Sequence, residues 1–129
     1  MNFKIGQGIL VKIPYKDGVG TPKNRSYLIV DIDYGKCKIK ILNVSTVQGK
    51  ETKLVRYRTN IKLIKYNPPF IRESFVKIDS SQEVDFGQAE KFRILCDGKV
   101  LAKDELGEIL SKLEQYELEQ AYIDLGIHF

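Results

Sequence analysis

The sequence predicts an α+β fold that is mainly β: a small barrel or strongly bent antiparallel sheet followed by one C-terminal helix. Short segments in which apolar and polar residues alternate fill the first 100 residues, and Gly, Pro and Asn turn signals separate them. Beyond residue 103 the apolar residues recur with the spacing of an amphipathic helix. Because no repeat or linker interrupts the 129 residues, we expect one domain covering residues 1–129.

The predicted strands begin with GILVKIP (8–14), in which apolar and polar residues alternate, and a Gly-rich loop follows at 15–24. SYLIVDID (26–33) is almost continuously apolar, which is typical of a strand buried on both faces. KCKIKILNV (36–44) again alternates cleanly. Shorter segments of similar character predict further strands at 52–58, 60–66, 73–79, 83–86 and 91–96.

One helix is predicted, over about residues 103–119. Its apolar residues follow the i, i+3, i+4 spacing of a helix with one buried face, and they are Leu106, Ile109, Leu110, Leu113 and Tyr116. Asp104 is the predicted N-cap, because its carboxylate can accept hydrogen bonds from the free N–H groups of the first turn. We expect residues 120–129 to form an apolar tail that docks on the domain.

Composition and motifs exclude several classes of protein. No apolar run approaches the roughly 18 residues of a membrane span, and the first residues lack the apolar region of a secretory signal. Cys37 and Cys96 lie far apart without a second ligand pair, so we expect buried thiols in a reducing cytoplasm. The single histidine, His128, forms no catalytic triad pattern, and no metal motif or phosphate loop is present. We therefore expect neither a metal nor a cofactor.

Charge divides the chain into two unequal parts. Residues 1–72 hold 15 Lys and Arg against four acids, and residues 73–129 hold six against 13 acids. A basic working surface favours a nucleic-acid partner. Its predicted contacts to RNA are Lys16, Lys23, Lys53 and Arg56. Alternatively, these lysines line the outer faces of strands and protect sheet edges.

Five residues could together cleave a phosphodiester bond without a metal. Arg25 lies at the start of the most buried predicted strand, and Ser45 and Thr46 lie at the end of the next one. Lys77 and Asp79 are two residues apart, so both are predicted to project from the same face of their strand. RNA supplies its own nucleophile, the 2′-OH, so the protein needs only a base, an acid and cations around the phosphorus. Asp79 is the candidate base, and Lys77 or Arg25 the candidate cation or acid.

Two other functions are open from the residues alone. Each of the five residues could simply be solvated surface. The chain could also be a non-catalytic nucleic-acid-binding module of the SH3-like or OB type, with aromatic residues that stack on bases; these are Tyr15, Tyr27, Tyr34, Tyr57 and Tyr66. A third possibility is a protein-interaction domain with a groove for a peptide.

Short motifs occur along residues 5–118 in an order known from one protein family. GQGILVKIP is similar to a G-D-I-x-x-V-x-x-P-like strand, and KNRSYLIV to an R-P-x-L-V-I-like strand. Ser45-Thr46 resembles a Thr-Ser-like pair, FVKIDSSQEVD resembles V-x-x-D-Q-x-R-T-I-D, and ELGEILSKL has the spacing of the final helix. The chain thus resembles a divergent member of the MazF/PemK (Kid-like) toxins, the ribonucleases of bacterial toxin–antitoxin pairs. It departs from them where Ser26 replaces a Pro, where Lys77 replaces an Arg, and where Gln82 and Glu83 replace the Arg and Thr of the R-T-I-D segment.

The resemblance implies an SH3-like barrel that acts as a homodimer in the cytoplasm. It also implies cleavage of single-stranded RNA, namely mRNA, to a 2′,3′-cyclic phosphate without a metal, and inhibition by a cognate antitoxin protein. The family's site residues correspond to Arg25, Ser45, Thr46, Lys77 and Asp79.

Overall fold

The computed structural model describes residues 2–14 and 23–126. Within these residues seven strands form one sheet, and the α+β, mainly β fold is confirmed. The elements in chain order are β1 Gly8–Ile13, β2 Lys23–Asp33, β3 Lys38–Thr46, α1 Glu51–Arg56, β4 Asn60–Lys62, β5 Ser74–Lys77, a 3₁₀ helix Ile78–Ser80, β6 Gln82–Asp85, α2 Phe86–Ala89, β7 Arg93–Ile94, a second 3₁₀ helix Cys96–Gly98, and α3 Lys103–Asp124.

The sheet is antiparallel and divides along one edge of β3. Its order is β4-β5-β3-β2-β1-β7, and β6 also pairs with β3. The last three residues of β3, Val44–Thr46, pair with β5, whereas Lys38–Ile41 pair with β6. The 3₁₀ helix Ile78–Ser80 lies between β5 and β6 in the chain. One strand edge therefore serves two partners, and the chain must turn where they meet.

Both faces of the central strands are buried. Leu28 and Leu42 belong to a core that packs against α3, and Ile29 and Ile41 belong to a second core that includes Phe92. Neighbouring residues of β2 therefore enter different cores, because successive side chains of a strand point to opposite faces. This confirms the prediction drawn from the continuous apolar run at 26–33.

Several local predictions were wrong. Residues 52–58 were expected to be a strand, but 51–56 form α1, whose residues are all exposed or partly exposed. Because none of these side chains is buried, their alternation does not reflect packing against a core. Glu51 in the first turn and Arg56 in the last turn interact favourably with the helix dipole. The predicted strands at 60–66 and 91–96 shrink to Asn60–Lys62 and Arg93–Ile94.

The C-terminal helix is confirmed but is longer than predicted. It extends to Asp124, so much of the expected tail is helical, and residues 127–129 with His128 lie outside the described residues. Asp104 is not the N-cap, since Ala102 occupies that position. The Asp104 carboxylate lies in the first turn and instead accepts a hydrogen bond of 2.6 Å from Lys65 Nζ.

The expectation of buried thiols was also wrong. Cys37 and Cys96 are both exposed, and both have a positive φ, which places them in surface turns. Among the described residues, no helix is long and apolar enough to cross a membrane.

Candidate functional site

Three of the predicted site residues lie on one face of the sheet, near the ends of β2, β3 and β5. Ser26 pairs with Val44, and Val44 with Val76, so these three share the face that packs against α3. Their chain neighbours Arg25, Ser45 and Lys77 therefore point to the opposite face. Each of the three is partly exposed, so their polar groups remain accessible.

Lys77 lies in an unusually cationic environment. Burial lowers its pKa below the ordinary value of a lysine, and Lys50, Lys53 and Arg25 lower it further. Asp79 acts in the opposite direction and raises it. Three cations and one carboxylate therefore lie near enough to this half-buried ammonium group to change its pKa. We call Lys77 together with Arg25, Lys50, Lys53 and Asp79 the cationic cluster.

Asp79 belongs to the cationic cluster but does not lie on the strand where it was predicted. Strand alternation was expected to place it on the face of Lys77, but β5 ends at Lys77. Asp79 lies in the following 3₁₀ helix and is exposed. The prediction of a shared strand face was therefore wrong for this pair, although the carboxylate remains close enough to act on the Lys77 charge.

Ser45 and Thr46 diverge. Ser45 pairs with Phe75 and Thr46 with Ser74, and adjacent strand residues point to opposite faces. Ser45 thus shares the face of Arg25, and its Oγ donates a hydrogen bond of 3.3 Å to Asn43 Oδ1. Thr46 is exposed at the end of β3, with its side chain starting on the other face.

The predicted RNA contacts are distributed over two elements. Lys23 begins β2 and is exposed, and alternation places it on the face of Arg25. Lys53 and Arg56 are exposed on α1. Lys16 lies outside the described residues.

A hydrogen bond attaches α1 beside Lys77. Asn60 pairs with Lys77 across the β4–β5 ladder, and its Nδ2 donates 2.9 Å to the carbonyl oxygen of Lys53. Sequence reasoning missed Lys50 as a member of the cluster because it interpreted the neighbouring segment as a strand. Interpreted as a helix, the spacing of Lys50, Lys53 and Arg56 would have placed three cations along one side.

The cationic cluster and the hydroxyl of Ser45 together have the groups needed to bind and polarise a phosphate. Cations neutralise the charge that develops on phosphate oxygens, a hydroxyl can bond to them, and a carboxylate can accept a proton. Among residues 2–14 and 23–126, no three His, Cys, Asp or Glu side chains are grouped as metal ligands.

Known proteins provide a likeness of fold. No protein-family model and no curated protein matches the chain. Among solved structures it is similar to a chain of the crystal structure of MazE–MazF (form II) from Deinococcus radiodurans, with a TM-score of 0.59 and 14% sequence identity. The match covers 88% of this chain and 93% of that one. The protein therefore has a MazF-like fold, in which Arg25, Ser45 and Lys77 lie on one face near the ends of β2, β3 and β5.

Proposed function

We propose that the protein is a metal-independent endoribonuclease of the toxin–antitoxin type that cleaves single-stranded RNA, with mRNA as its substrate. The observation that carries this proposal is that Arg25, Ser45 and Lys77 share one face of the sheet. There burial and the charges of Lys50, Lys53 and Arg25 lower the pKa of the half-buried Lys77 ammonium, and Asp79 raises it. Gathering like charges around a half-buried one costs stability, and a bound polyanion would offset that cost. The MazF-like fold supports the same conclusion.

The proposed reaction has two proton transfers and one exchange of bonds at phosphorus. The 2′-OH of RNA gives its proton to the Asp79 carboxylate, and its oxygen bonds to the adjacent phosphorus. The bond from phosphorus to the 5′-oxygen breaks, and that oxygen takes a proton from Lys77. The products are a 2′,3′-cyclic phosphate and a free 5′-OH.

The remaining groups bind the charge of the transition state. Arg25 can place two N–H donors on the nonbridging oxygens. On RNA binding, the Ser45 hydroxyl turns its proton from Asn43 Oδ1 to an oxygen of the same phosphate. Thr46, at the exposed end of β3, is a proposed second contact with a smaller effect. Lys23, Lys53 and Arg56 bind flanking phosphates, and Lys16 is a further proposed contact.

The lowered pKa of Lys77 suits it to the role of acid. An ordinary lysine holds its proton too tightly to transfer it readily at neutral pH. Burial and the neighbouring cations weaken that hold by lowering the pKa of Lys77, and Asp79 acts in the opposite direction.

We also propose a homodimer that acts in the cytoplasm and is inhibited by an antitoxin protein. The structure with the similar fold is of a MazE–MazF complex, which supports a partner of this type. Size measurements of the pure protein, alone and with the product of an adjacent small reading frame, test both parts.

The test of the function is cleavage of a mixed-sequence RNA in excess EDTA. We expect wild-type protein to produce 2′,3′-cyclic phosphate ends, and Arg25→Ala and Asp79→Asn to lose the activity. Arg93→Ala is the matched control, since Arg93 is an exposed arginine on β7. RNA left intact at high enzyme excess contradicts the proposal. RNA that is bound in a salt-dependent manner without cleavage supports the non-catalytic binding module instead.

A further inference from the structure

The amide of Asn43 is buried beside the cationic cluster, on the face of Arg25, Ser45 and Lys77. Asn43 is 6% exposed, one of three buried polar residues in the described part of the chain, together with Gln7 and Ser74. A buried amide is costly unless hydrogen bonds replace its hydration.

Asn43 differs from the other two in what it binds. Gln7 accepts from the backbone N–H of Lys4 and donates to the carbonyl of Gly98, and Ser74 donates to a backbone carbonyl. Asn43 instead accepts the hydroxyl proton of Ser45, a proposed site residue.

The hydrogen bonds of Asn43 reach all three strands of the site. Its Nδ2 donates 3.4 Å to the carbonyl oxygen of Ser26 on β2, and its Oδ1 accepts 3.3 Å from Ser45 Oγ on β3. Its backbone N–H donates 2.8 Å to Ser80 Oγ, and that hydroxyl donates 2.6 Å to the carbonyl oxygen of Lys77 on β5.

The bond to Ser80 lies where β3 changes partners. Asn43 falls between the residues of β3 that pair with β5 and those that pair with β6. The Ser80 hydroxyl therefore accepts the hydrogen bond that the Asn43 backbone N–H donates at this break in the ladder. Because Ser80 belongs to the 3₁₀ helix that carries Asp79, the same bond connects that helix to β3.

We infer that Asn43 is a positioning residue for RNA cleavage. Its Oδ1 holds the Ser45 side chain in place until RNA binds, its Nδ2 bonds to Ser26, the chain neighbour of Arg25, and its backbone N–H bonds to Ser80, the chain neighbour of Asp79. This inference rests on the proposed function. A catalytic group displaced by about 1 Å can lose about 100-fold in rate, so groups on three separate strands need a common tie. Asn43 provides that tie without touching the substrate.

The experiment compares Asn43→Leu with Gln7→Leu, its matched control. Both replace a buried amide, but Gln7 bonds only to Lys4 and Gly98. Below the unfolding midpoint of both variants, we expect Asn43→Leu to lower kcat about 10- to 100-fold at nearly constant KM. Gln7→Leu should lose thermal stability and keep its kcat. In a Ser45→Ala background the effect of Asn43→Leu on kcat should become smaller, because only the bond to Ser26 is then left for the substitution to remove.

A second pair of variants tests the bond that the Asn43 backbone N–H donates to Ser80, which Asn43→Leu leaves in place and which can be tested even if Asn43→Leu does not fold. Ser80→Ala should lower kcat, and Ser80→Thr, which keeps the hydroxyl, should restore it. Wild-type cleavage with equal kcat in wild type, Asn43→Leu and Ser80→Ala overturns the inference and leaves the proposed function standing. Equal kcat losses in Asn43→Leu and Gln7→Leu also overturn it. Wild-type protein that leaves RNA intact overturns the proposed function and the inference with it.

Discussion

Lys65 and Lys77 show how differently two regions of this molecule treat a positive charge. Lys65 lies where α3 begins, and the hydrogen bond from its ammonium to the Asp104 carboxylate raises its pKa. Lys77 lies at the end of β5, where burial and three cations lower its pKa. The first arrangement helps the fold at neutral pH, and the second opposes it. A charge kept at a cost to stability marks the region where we expect function.

The α3 region continues this pattern of compensation. Lys112 forms an ion pair with Glu108, one turn earlier in α3. Lys40 on β3 forms an ion pair with Glu117 on α3, with 3.0 Å between Nζ and Oε2. Glu105 accepts two backbone N–H groups, from Ile64 and Lys65. The contacts of Glu117 and Glu105 thus join the helix to β3 and to the loop that follows β4. Variants in the two regions should therefore separate activity from stability.

The largest expected effect comes from removing the guanidinium of Arg25. If it binds the transition state, Arg25→Ala should raise the activation barrier by about 2–4 kcal/mol, because the cation acts on charge that develops at the phosphate. Initial rates of RNA cleavage measure this. Arg93→Ala should leave the rate unchanged, and equal losses in both variants would contradict a special role for Arg25.

A large effect is also expected from Lys77, together with a change in pH dependence. Lys77→Gln should slow cleavage about 100-fold or more, the usual contribution of a general acid. In wild type, activity should fall as pH rises through the lowered pKa of Lys77, because the acid loses its proton. Lys77→Arg should retain part of the activity and lose this alkaline decline, since arginine stays protonated. A pH–rate profile measures both, and an unchanged alkaline limb in Lys77→Arg would remove Lys77 as the acid.

A sulfur leaving group distinguishes an acid from a simple cation. A thiolate departs without protonation, so RNA with a 5′-bridging sulfur at the cleaved bond should be cut almost equally by wild type and Lys77→Gln. If Lys77→Gln is impaired equally on both substrates, Lys77 only binds charge.

A smaller effect, of opposite sign in the two regions, is expected on stability. The folded pKa of Lys77 lies below its unfolded value, so its charge destabilises the fold at neutral pH, and the penalty disappears as pH rises through the folded and then the unfolded pKa. Lys77→Gln should therefore raise the unfolding midpoint at neutral pH. The pKa of Lys65 is raised, so its charge stabilises the fold at neutral pH, and that contribution is lost as pH rises through the unfolded and then the folded pKa.

Thermal unfolding at pH 7 and near pH 10 measures the difference. Lys65→Gln should lower the midpoint slightly at pH 7 and leave RNA cleavage unchanged. If both lysine variants shift the midpoint in the same direction at pH 7, the contrast between the two regions is wrong.

The smallest effect is expected from the cations of α1. Replacing Lys53 or Arg56 by Gln should weaken RNA binding similarly for all sequences, and each lost phosphate contact should reduce the salt slope by about 0.7. Binding measured across salt concentrations tests this. Lys103→Gln, at the start of α3, is the control, and an equal change there would show that only net charge matters.

Much of the fold could be predicted from the sequence because it depends on local patterns. Alternation identified β1 and β3, a continuous apolar run identified β2, and helical spacing identified α3. The segment at 51–56 was wrongly predicted as a strand because none of its side chains is buried, so its alternation does not indicate which face packs against a core. The strand predicted at 91–96 has only the two residues Arg93–Ile94, because its length is set by its pairing with β1, which no local pattern encodes.

The site was predicted less completely, for a related reason. Residue type and chain order were enough to nominate Arg25, Ser45 and Lys77. The alternation of β3 is enough to separate Ser45 from Thr46, but the break in β3 that gives Asn43 its role depends on strands distant in the chain. The lowered pKa of Lys77 depends on burial and on Lys50, which only the folded chain brings near.

The most direct test of the cationic cluster is an NMR titration of the lysine side chains with an all-deoxy oligonucleotide, which lacks the 2′-OH and cannot be cleaved by this route. Binding of a phosphate beside Lys77 should raise the Lys77 pKa and shift its signals, while those of Lys65 stay unchanged. Equal responses of the two lysines, or no response of Lys77 at saturation, would contradict the assignment of this cluster as the place where the RNA phosphate binds.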